Sequence, residues 1–534
     1  MDPTLDGDWD TEAHWSRTNL SEAMPDVLTP LSWTVWQPVF ERSMRRGFVA
    51  IGALSRREAA LPTQQHQAMY AIFHGRAAAK VEFLGAMGDR LPGTSGAAIA
   101  EQFFGALPDD FVSRSTWHRL PVIAWRFPAA MTTSPRRVRG VRANTAAWWT
   151  RLSGAVDGLD LPAAQWFWRE ALGHFEAAFA SHIVVMLACV QPAFDQLLRL
   201  AAASGQPELA AKMTAGQGSH VEVAMIEDLW AVSRGQRSLD AFLAAHGYHG
   251  PREGEISARV WREDPRPVQS LVDQYRRALD SESPTEVARA RNGEAEIARR
   301  TVLSALPWSR RLAGSTVLAA AEKYLGLRGV GKAAFTQALD GCRMIARRIG
   351  VHLADSGSLT DPEDIFLLTA AEVAGCPAVH PLHEVVEVRR AERARCQAVS
   401  LPISWRGRPV PIPVAEECAD SSATLLSGVG ASPGIVKGPV RVVTDPDCDD
   451  LEPGDILVAP FTDPSWAAIM FVSAGLIVEI GGPLSHAAVV ARELGIPCVM
   501  AIAGATRRLR TGDICRIDGH TGTVEVLQRA TAGL

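Results

Sequence analysis

The amino-acid sequence predicts a multidomain protein in which a large, mostly α-helical domain is followed by a small α/β domain. The chain has 534 residues, more than a single hydrophobic core usually organises. Apolar residues recur at three- and four-residue spacing from about Ser32 to Ala398, the pattern of amphipathic helices. From Gly428 onward, short β-rich runs alternate with helical stretches. The predicted parts are a helical domain over 1–400, a flexible linker over 401–427 and an α/β domain over 428–530.

The helical domain and the linker differ in composition and in hydrophobic periodicity. The clearest amphipathic stretches are Gln64–Leu84, Pro162–Ala203, Val268–Leu303 and Arg310–Gly350. Turn-rich passages with glycine and proline separate such stretches. Residues 401–427 are instead rich in proline, serine and small side chains and have no amphipathic period, which favours a linker.

The α/β domain is predicted from a regular succession of short elements. Strands are expected at 440–443, 456–459, 476–480, 499–502, 514–517 and 524–527. One helix is expected to begin at Ser465 and another at Ser485. About a hundred residues are a normal size for such a domain.

Composition and charge restrict the class of partner. The net charge is −5, so no global positive field attracts nucleic acid or an anionic membrane, and a small molecule or a protein is the expected partner. The eight cysteines are scattered without a CxxC pair, and the histidines outside the motif described next lack metal-ligand spacing. The N-terminus is acidic and polar, without the pattern of a signal peptide. We expect a cytoplasmic protein without a metal site of its own.

The most informative passage is GGPLSHAA at residues 481–488, between a buried-type strand and a helix. Gly481 and Gly482 permit close approach of the backbone, and Ser485 is suited to cap the helix that begins at His486. Amide N–H groups and the helix dipole at this position stabilise a phosphoryl group, and a neutral imidazole is a competent nucleophile. The competing interpretation, that His486 only caps a helix or fills a turn, would be favoured for an arbitrary histidine.

The motifs around His486 favour the functional interpretation of this histidine. They are GVGASPGIVKG at 428–438, PGDILVAP at 453–460, TDPSW at 462–466 and GDICRIDG at 512–519. In this order they resemble the swivelling phosphohistidine domain of the phosphoenolpyruvate-utilising enzymes, which include phosphoenolpyruvate synthase, pyruvate phosphate dikinase and rifampicin phosphotransferase. The resemblance implies that His486 is phosphorylated, and places Asp463 and Trp466 on a segment near it, behind the residues that contact the phosphate.

The helical half is similar to the substrate-binding domain of the rifampicin phosphotransferase branch. The supporting motifs are WSRTNLSEAMP at 15–25, TPLSW at 29–33, GPREGEIS at 250–257, WREDP at 261–265 and DPEDIFLLT at 361–369. We expect this chain to contain neither the ATP-grasp module that charges the histidine in full-length enzymes nor the pyruvate-binding barrel of phosphoenolpyruvate synthase. The resemblance therefore implies one part of a split system, in which a separate ATP-grasp subunit uses ATP and Mg²⁺ to phosphorylate His486. No residue here is a convincing Mg²⁺ ligand, and no tightly bound cofactor is expected.

The acceptor side is less defined. Phosphoryl transfer to a hydroxyl requires a base and a cation, for which His249, Arg252, Glu253 and Glu255 are candidates. A solvated loop held by a salt bridge is the competing interpretation. Fifteen tryptophans are compatible with an apolar cavity for a bulky alcohol or phenol, although most of them are better interpreted as core aromatics.

Three functions remain open at this point. The first is a phosphotransferase component of a split dikinase-type system that delivers phosphate to a small, hydrophobic alcohol or phenol. The second is a phosphocarrier or regulatory protein without catalysis. The third is a stand-alone enzyme that takes phosphate from phosphoenolpyruvate or another donor. The roughly 400 helical residues exceed what a mere carrier needs, which favours the first.

Overall fold

The computed structural model describes the chain except residues 1, 3, 8, 19, 25, 105, 106, 108, 109, 215–219, 376–380, 414–423, 445–450, 483, 484 and 531–534. The middle of the predicted linker and two residues of the histidine motif therefore lie outside the described residues. The chain divides into two compact units. Unit 1 comprises 1–188, 252–258 and 330–418, and unit 2 comprises 189–251, 259–329 and 419–534.

The α-helices of the described residues are, in chain order, α1 (Leu20–Ala23), α2 (Pro30–Ile51), α3 (Val81–Gly88), α4 (Gly96–Phe104), α5 (Leu120–Ala155), α6 (Leu161–Val185), α7 (Gln191–Ala203), α8 (Ala210–Met213), α9 (His220–Ser233), α10 (Leu239–His246), α11 (Arg266–Arg277), α12 (Pro284–Ala305), α13 (Trp308–Tyr324), α14 (Leu327–Asp355), α15 (Ala370–Gly375), α16 (His383–Gln397), α17 (Ala467–Val472), α18 (His486–Leu494) and α19 (Ala505–Arg508).

The β-strands of the described residues are β1 (His14–Ser16), β2 (Tyr70–Phe73), β3 (Arg76–Lys80), β4 (Val399–Ser400), β5 (Ser404–Arg406), β6 (Ile412–Pro413), β7 (Leu425–Ser427), β8 (Val429–Ser432), β9 (Ile435–Val442), β10 (Ile456–Ala459), β11 (Gly475–Val478), β12 (Cys498–Met500), β13 (Ile514–Asp518) and β14 (Thr523–Gln528). The predicted fold class is confirmed, because a large helical region precedes a small α/β domain.

Unit 1 is mostly helical but contains a four-stranded sheet of order β2-β3-β1-β5. This sheet corrects the helix predicted over Gln64–Leu84, where β2 and β3 form an antiparallel hairpin. His74 and Gly75 connect the two strands and both have positive φ, 44° and 72°. Positive φ at both central residues is the conformation that a two-residue hairpin turn requires, so local turn chemistry overrides the helical spacing.

Unit 2 contains an eight-stranded sheet of order β7-β14-β13-β9-β10-β11-β12-β8. Strands β9 to β12 are parallel, and β13, β14, β7 and β8 extend the sheet antiparallel on its two sides. Side chains of alternate residues face opposite sides of a strand. Accordingly Leu457 and Ala459 of β10 enter one hydrophobic cluster, whereas Ile456 and Val458 enter another.

The first of these clusters joins the α/β domain to helical residues of unit 2. It contains Leu229 of α9 and Leu271 of α11 together with Met470 of α17 and Val490 of α18. The Tyr275 hydroxyl donates a hydrogen bond of 3.0 Å to the Ala468 carbonyl in the same region. This packing places helices from 189–329 in one unit with the α/β domain, a division that differs from the predicted boundary at residue 400.

Part of the predicted linker forms strands. β5 pairs with β1, with Trp405 opposite Trp15, and β6 pairs with β4. Backbone pairing thus gives these residues a fixed partner despite their proline-rich composition. The flexibility of the linker, like the predicted domain boundaries, stays a prediction.

Among the described residues, one helical stretch, Leu161–Ala203, is long and apolar enough to cross a membrane by length and composition, with a mean hydropathy of 1.7. Of the window concerned, 56% is buried inside the protein. Core helices of that kind satisfy the same criteria, so the stretch is weak evidence for a membrane span.

Candidate functional site at the start of helix α18

His486 is the first residue of α18, the helix that follows β11 in unit 2. Ser485 caps this helix, because its Oγ accepts a hydrogen bond of 3.2 Å from the Ala488 N–H. The Ser485 N–H donates to the Gly482 carbonyl at 2.8 Å. The predicted strand and the capped helix are both present, and the histidine lies at the positive end of the helix dipole.

The Thr462 hydroxyl holds the His486 ring. Thr462 Oγ1 lies 3.0 Å from His486 Nδ1, and both side chains are buried. When the ring carries its proton on Nδ1 and donates it to Thr462, the lone pair resides on Nε2, the nitrogen then able to attack phosphorus. Thr462 belongs to the TDPSW motif, but sequence reasoning did not single it out because the two residues are 24 positions apart.

Asp463 and Trp466 build the loop that carries Thr462. The Asp463 carboxylate accepts hydrogen bonds from the Ser465 N–H at 2.9 Å and from the Ser465 hydroxyl at 2.5 Å. Trp466 is 1% exposed and belongs to the hydrophobic cluster that also includes Ala487. That Asp463 and Trp466 lie behind the residues that contact the phosphate stays a prediction. Their contacts indicate that both side chains support the loop that carries Thr462.

His486 itself is fully buried, with an exposed fraction of 0%. Its neighbours in α18 from Ala487 to Glu493 are buried as well. A phosphate donor on another molecule reaches such a ring only after its surroundings have moved, so the arrangement described is one in which the histidine is withdrawn from solvent.

On the proposed acceptor side, Glu255 is a buried carboxylate fully engaged in unit 1. It accepts hydrogen bonds from the Thr29 N–H and hydroxyl at 3.0 and 2.7 Å, and from the Ser32 hydroxyl at 2.6 Å. The Ser257 N–H and hydroxyl donate to it at 3.0 and 2.9 Å. Because Thr29 is the N-cap of α2, Glu255 secures the start of that helix. The alternative of a solvated loop is wrong for this residue, since Glu255 is only 5% exposed.

The backbone next to Glu255 is equally enclosed. Arg343, which is 1% exposed, donates to the carbonyls of Glu253 and Glu255 at 3.0 and 3.1 Å. The Trp36 indole donates to the Gly254 carbonyl at 2.7 Å. A Cβ at Gly254 would lie 1.5 Å from the Ala23 carbonyl oxygen, so only glycine fits there.

His249 and Arg252 complete the predicted acceptor group but fall on different units. His249, in unit 2, is buried against the rings of Tyr248 and Trp261, at centroid distances of 4.1 and 5.8 Å. Arg252, in unit 1, is exposed and has a positive φ of 55°.

Next to His249 lies His246, a second buried histidine of unit 2. His246 Nε2 lies 2.7 Å from Asp228 Oδ2, and its ring centroid is 6.5 Å from that of His249. Burial lowers the pKa of His246 to about 4, and the hydrogen bond to Asp228 only partly opposes this effect. The ring is therefore neutral near pH 7.

Family models match two regions of the chain. Residues 451–522 match the mobile domain of PEP-utilising enzymes, and residues 195–329 match the fourth domain of rifampicin phosphotransferase. The resemblance predicted from the sequence is thereby confirmed in both halves. The second match covers helices that belong to unit 2, the unit that contains His486.

Individual relatives agree with these matches. A rifampicin phosphotransferase of Streptomyces sviceus is 31% identical over 298 residues, which are 54% of this chain and 34% of that protein. The prodigiosin synthesizing transferase PigC of Serratia marcescens is 29% identical over 304 residues, 55% of this chain and 34% of that protein. An uncharacterized protein of Mycobacterium tuberculosis is 31% identical over 338 residues, 63% of this chain and 36% of that protein. The chain thus spans about a third of the length of these curated relatives.

Proposed function

We propose that this protein is a phosphotransferase component in which His486 carries a phosphoryl group between two sites. The phosphoryl group comes from ATP with Mg²⁺ on a separate ATP-grasp protein and passes to a hydroxyl of a small, hydrophobic alcohol or phenol in the cytoplasm. The observation that carries the proposal is the capped helix of a PEP-utiliser-type mobile domain that begins with a histidine held by Thr462. The similarity to rifampicin phosphotransferases supports a hydroxyl as the acceptor.

The first half-reaction forms a phosphoramidate. The Nε2 lone pair of His486 attacks a phosphorus atom of ATP in line, a P–N bond forms and a P–O bond of the nucleotide breaks. The proton on Nδ1 remains shared with Thr462, which stabilises the positive charge that develops on the ring. The N-terminal amide groups of α18 stabilise the charge of the bound phosphoryl group.

The second half-reaction returns the ring to its starting state. The acceptor oxygen attacks phosphorus, the P–N bond breaks and the electron pair returns to the imidazole, while a base takes the hydroxyl proton. The proposal keeps His249, Arg252 and Glu253 as acceptor-side candidates. It gives Glu255 a supporting role, because five donors already lie within hydrogen-bond distance of a carboxylate that has about four lone-pair sites.

Both half-reactions require His486 to become accessible. Because the ring is fully buried, its surroundings have to move before it meets the donor. The proposal therefore includes a swinging motion of the domain between two positions.

The decisive experiment uses the full chain with an ATP-grasp protein, radiolabelled ATP and Mg²⁺. We expect a label that is stable to base and labile to acid, together with the mass gain of one phosphoryl group. His486→Ala is expected to abolish both signals. His520→Ala is the matched control, because it removes an exposed histidine of the same domain and is expected to label like the wild type.

Two outcomes contradict the proposal. Equal labelling of wild type and His486→Ala would remove the histidine from the reaction. Labelling by phosphoenolpyruvate without any partner protein would replace the proposed donor and favour a stand-alone enzyme.

A further inference from the structure

Unit 2 contains an open cleft of about 490 Å³, whose lining includes the C-terminal end of α18. One wall is the β8–β9 connection at Pro433 and Gly434 together with the end of α18 at Gly495. The opposite wall consists of residues from α8 and α12. The cleft therefore exists only while the α/β domain is packed against these helices.

Three cations line the cleft, namely Lys212 of α8, Arg291 of α12 and Arg492 of α18. Glu294 is the acidic residue of the lining, and it is already paired with Arg291 at 3.1 Å. Among the described residues of the lining, the ionised side chains therefore sum to two positive charges, in a protein whose net charge is −5. Local positive potential of this kind concentrates anions.

Arg492 is a desolvated cation in this wall. It is 9% exposed, donates to the Ala431 carbonyl at 3.2 Å and lies 5.9 Å from the centroid of the Phe194 ring. Burial lowers its pKa to about 10; Glu493 favours the charged form and Arg328 opposes it. A buried guanidinium gains more from an added anion than a hydrated one does.

Arg291 links the two walls of the cleft. Its guanidinium donates to the Gly495 carbonyl at 2.7 Å, at the C-terminal end of α18 where a cation stabilises the helix dipole. A Cβ on Gly495 would lie 1.7 Å from this guanidinium, so glycine is needed for the contact. Arg291 therefore fastens the helix that begins with His486 to α12.

We propose that this cleft binds a small molecule with a phosphate or diphosphate group, and that the bound anion holds the α/β domain against α8 and α12. The two guanidinium groups can each donate a pair of hydrogen bonds to phosphate oxygens, and the ammonium group adds a third positive charge that also donates hydrogen bonds. Binding to the packed arrangement alone stabilises that arrangement by mass action. The site does not depend on phosphorylation of His486. The consequence for transfer does rest on the proposed function, because an anion that delays the departure of the domain delays charging of the histidine.

The first experiment titrates the full-length protein with inorganic diphosphate in a calorimeter, with sodium chloride at matched ionic strength as the reference. Wild type is expected to show saturable binding. Lys212→Gln removes an exposed charge and is expected to weaken binding about tenfold, the size of one charge-assisted hydrogen bond. Lys323→Gln, which removes an exposed ammonium group of α13, is expected to change it by less than about twofold. Arg291→Gln is expected to weaken binding more than Lys212→Gln, because it also opens the cleft.

The second experiment follows hydrogen exchange with and without diphosphate. Exchange in 431–436 and 491–497 is expected to slow in wild type, whereas exchange in 339–349 of unit 1 stays constant. His486→Ala is expected to keep both binding and protection, which separates this site from the proposed phosphotransfer. The absence of saturable binding in wild type, or equal binding by Lys212→Gln, would overturn the site. Faster exchange in 491–497 on binding would overturn the holding role.

Discussion

At the scale of single residues, the contact between Thr462 and His486 is the feature most open to test. Thr462→Val keeps the volume but removes the oxygen that lies 3.0 Å from Nδ1. We expect phosphorylation of His486 to slow by about tenfold, because one hydrogen bond that fixes the ring and its tautomer is lost. The measurement is the initial rate of acid-labile labelling across pH.

The conservative change separates this role from a structural one. Thr462→Ser keeps a hydroxyl and is expected to restore most of the rate and the wild-type pH profile. A Thr462→Val protein with unchanged rate and pH profile would show that the threonine does not position the ring.

Glu255 gives the second prediction. Glu255→Ala leaves the buried donors of Thr29 and Ser32, and the partly buried donors of Ser257, without their acceptor. We expect the free energy of unfolding to fall by at least ~3 kcal/mol, since each unsatisfied buried group costs about 1–3 kcal/mol. Urea denaturation measures this, with the exposed Glu384→Ala as the control at less than about 1 kcal/mol. Unchanged stability combined with lost transfer would instead return Glu255 to the acceptor side.

These residues also show what the sequence can predict at this scale. The helix start at His486 and its cap, Ser485, were predictable from a few adjacent residues, because a glycine pair and a capping serine act on the local backbone. Thr462 and the donors to Glu255 are distant in sequence, and only the folded chain brings them to their partners. Glu255 accordingly resembles a catalytic carboxylate in the sequence and supports the start of α2 in the structure.

At the scale of elements, α18 provides a prediction with a close control. Gly495 and Gly235 have nearly the same positive φ, 69° and 68°. A Cβ at Gly235 meets nothing within 4 Å, whereas at Gly495 it meets the Arg291 guanidinium. Gly235→Ala is expected to cost ~1 kcal/mol of backbone strain. Gly495→Ala is expected to cost about 1–2 kcal/mol more, because Arg291 has to swing away and loses its bond to the Gly495 carbonyl.

Thermal unfolding of the two variants side by side measures this difference. Equal losses would mean that the bond from Arg291 to the end of α18 contributes nothing to stability.

The elements themselves were predictable to different degrees. Strands β10 and β11 and helix α18 were predictable because buried parallel strands are short apolar runs bounded by turns. The hairpin of β2 and β3 was not predicted, because an alanine-rich sequence is typical of helices and the turn residues His74 and Gly75 are a weak turn signal. The strand β5 was missed because its partner, β1, is near the other end of the chain.

At the scale of the molecule, His246 predicts loss of stability in acid. Its pKa is about 4 in the folded protein against 6.5 for the ordinary side chain, so the unfolded state binds the proton more readily. The stabilisation is complete above pH 6.5 and declines as the pH falls towards 4, by roughly 3 kcal/mol at pH 4. The measurement is the free energy of unfolding by urea between pH 7 and pH 4.

His246→Gln removes the titrating group and keeps a donor for Asp228, so it is expected to flatten this pH dependence. His520→Gln is the control with an exposed ring. If His246→Gln loses stability in acid as steeply as wild type does, the proton is taken up elsewhere.

The order of segments along the chain has a consequence for synthesis. Unit 1 takes its residues from 1–188, 252–258 and 330–418, and its strand β1 pairs His14 with Arg406. A nascent chain leaving the ribosome therefore has to wait for some 390 further residues before that sheet closes. Pairing of strands that are so distant in the sequence is slow, and the unpaired edge of the sheet stays exposed until it is complete. Truncation at residue 400 would deprive β1 of this partner, so the helical part is expected to need the remaining segment, or a chaperone, to reach its native state.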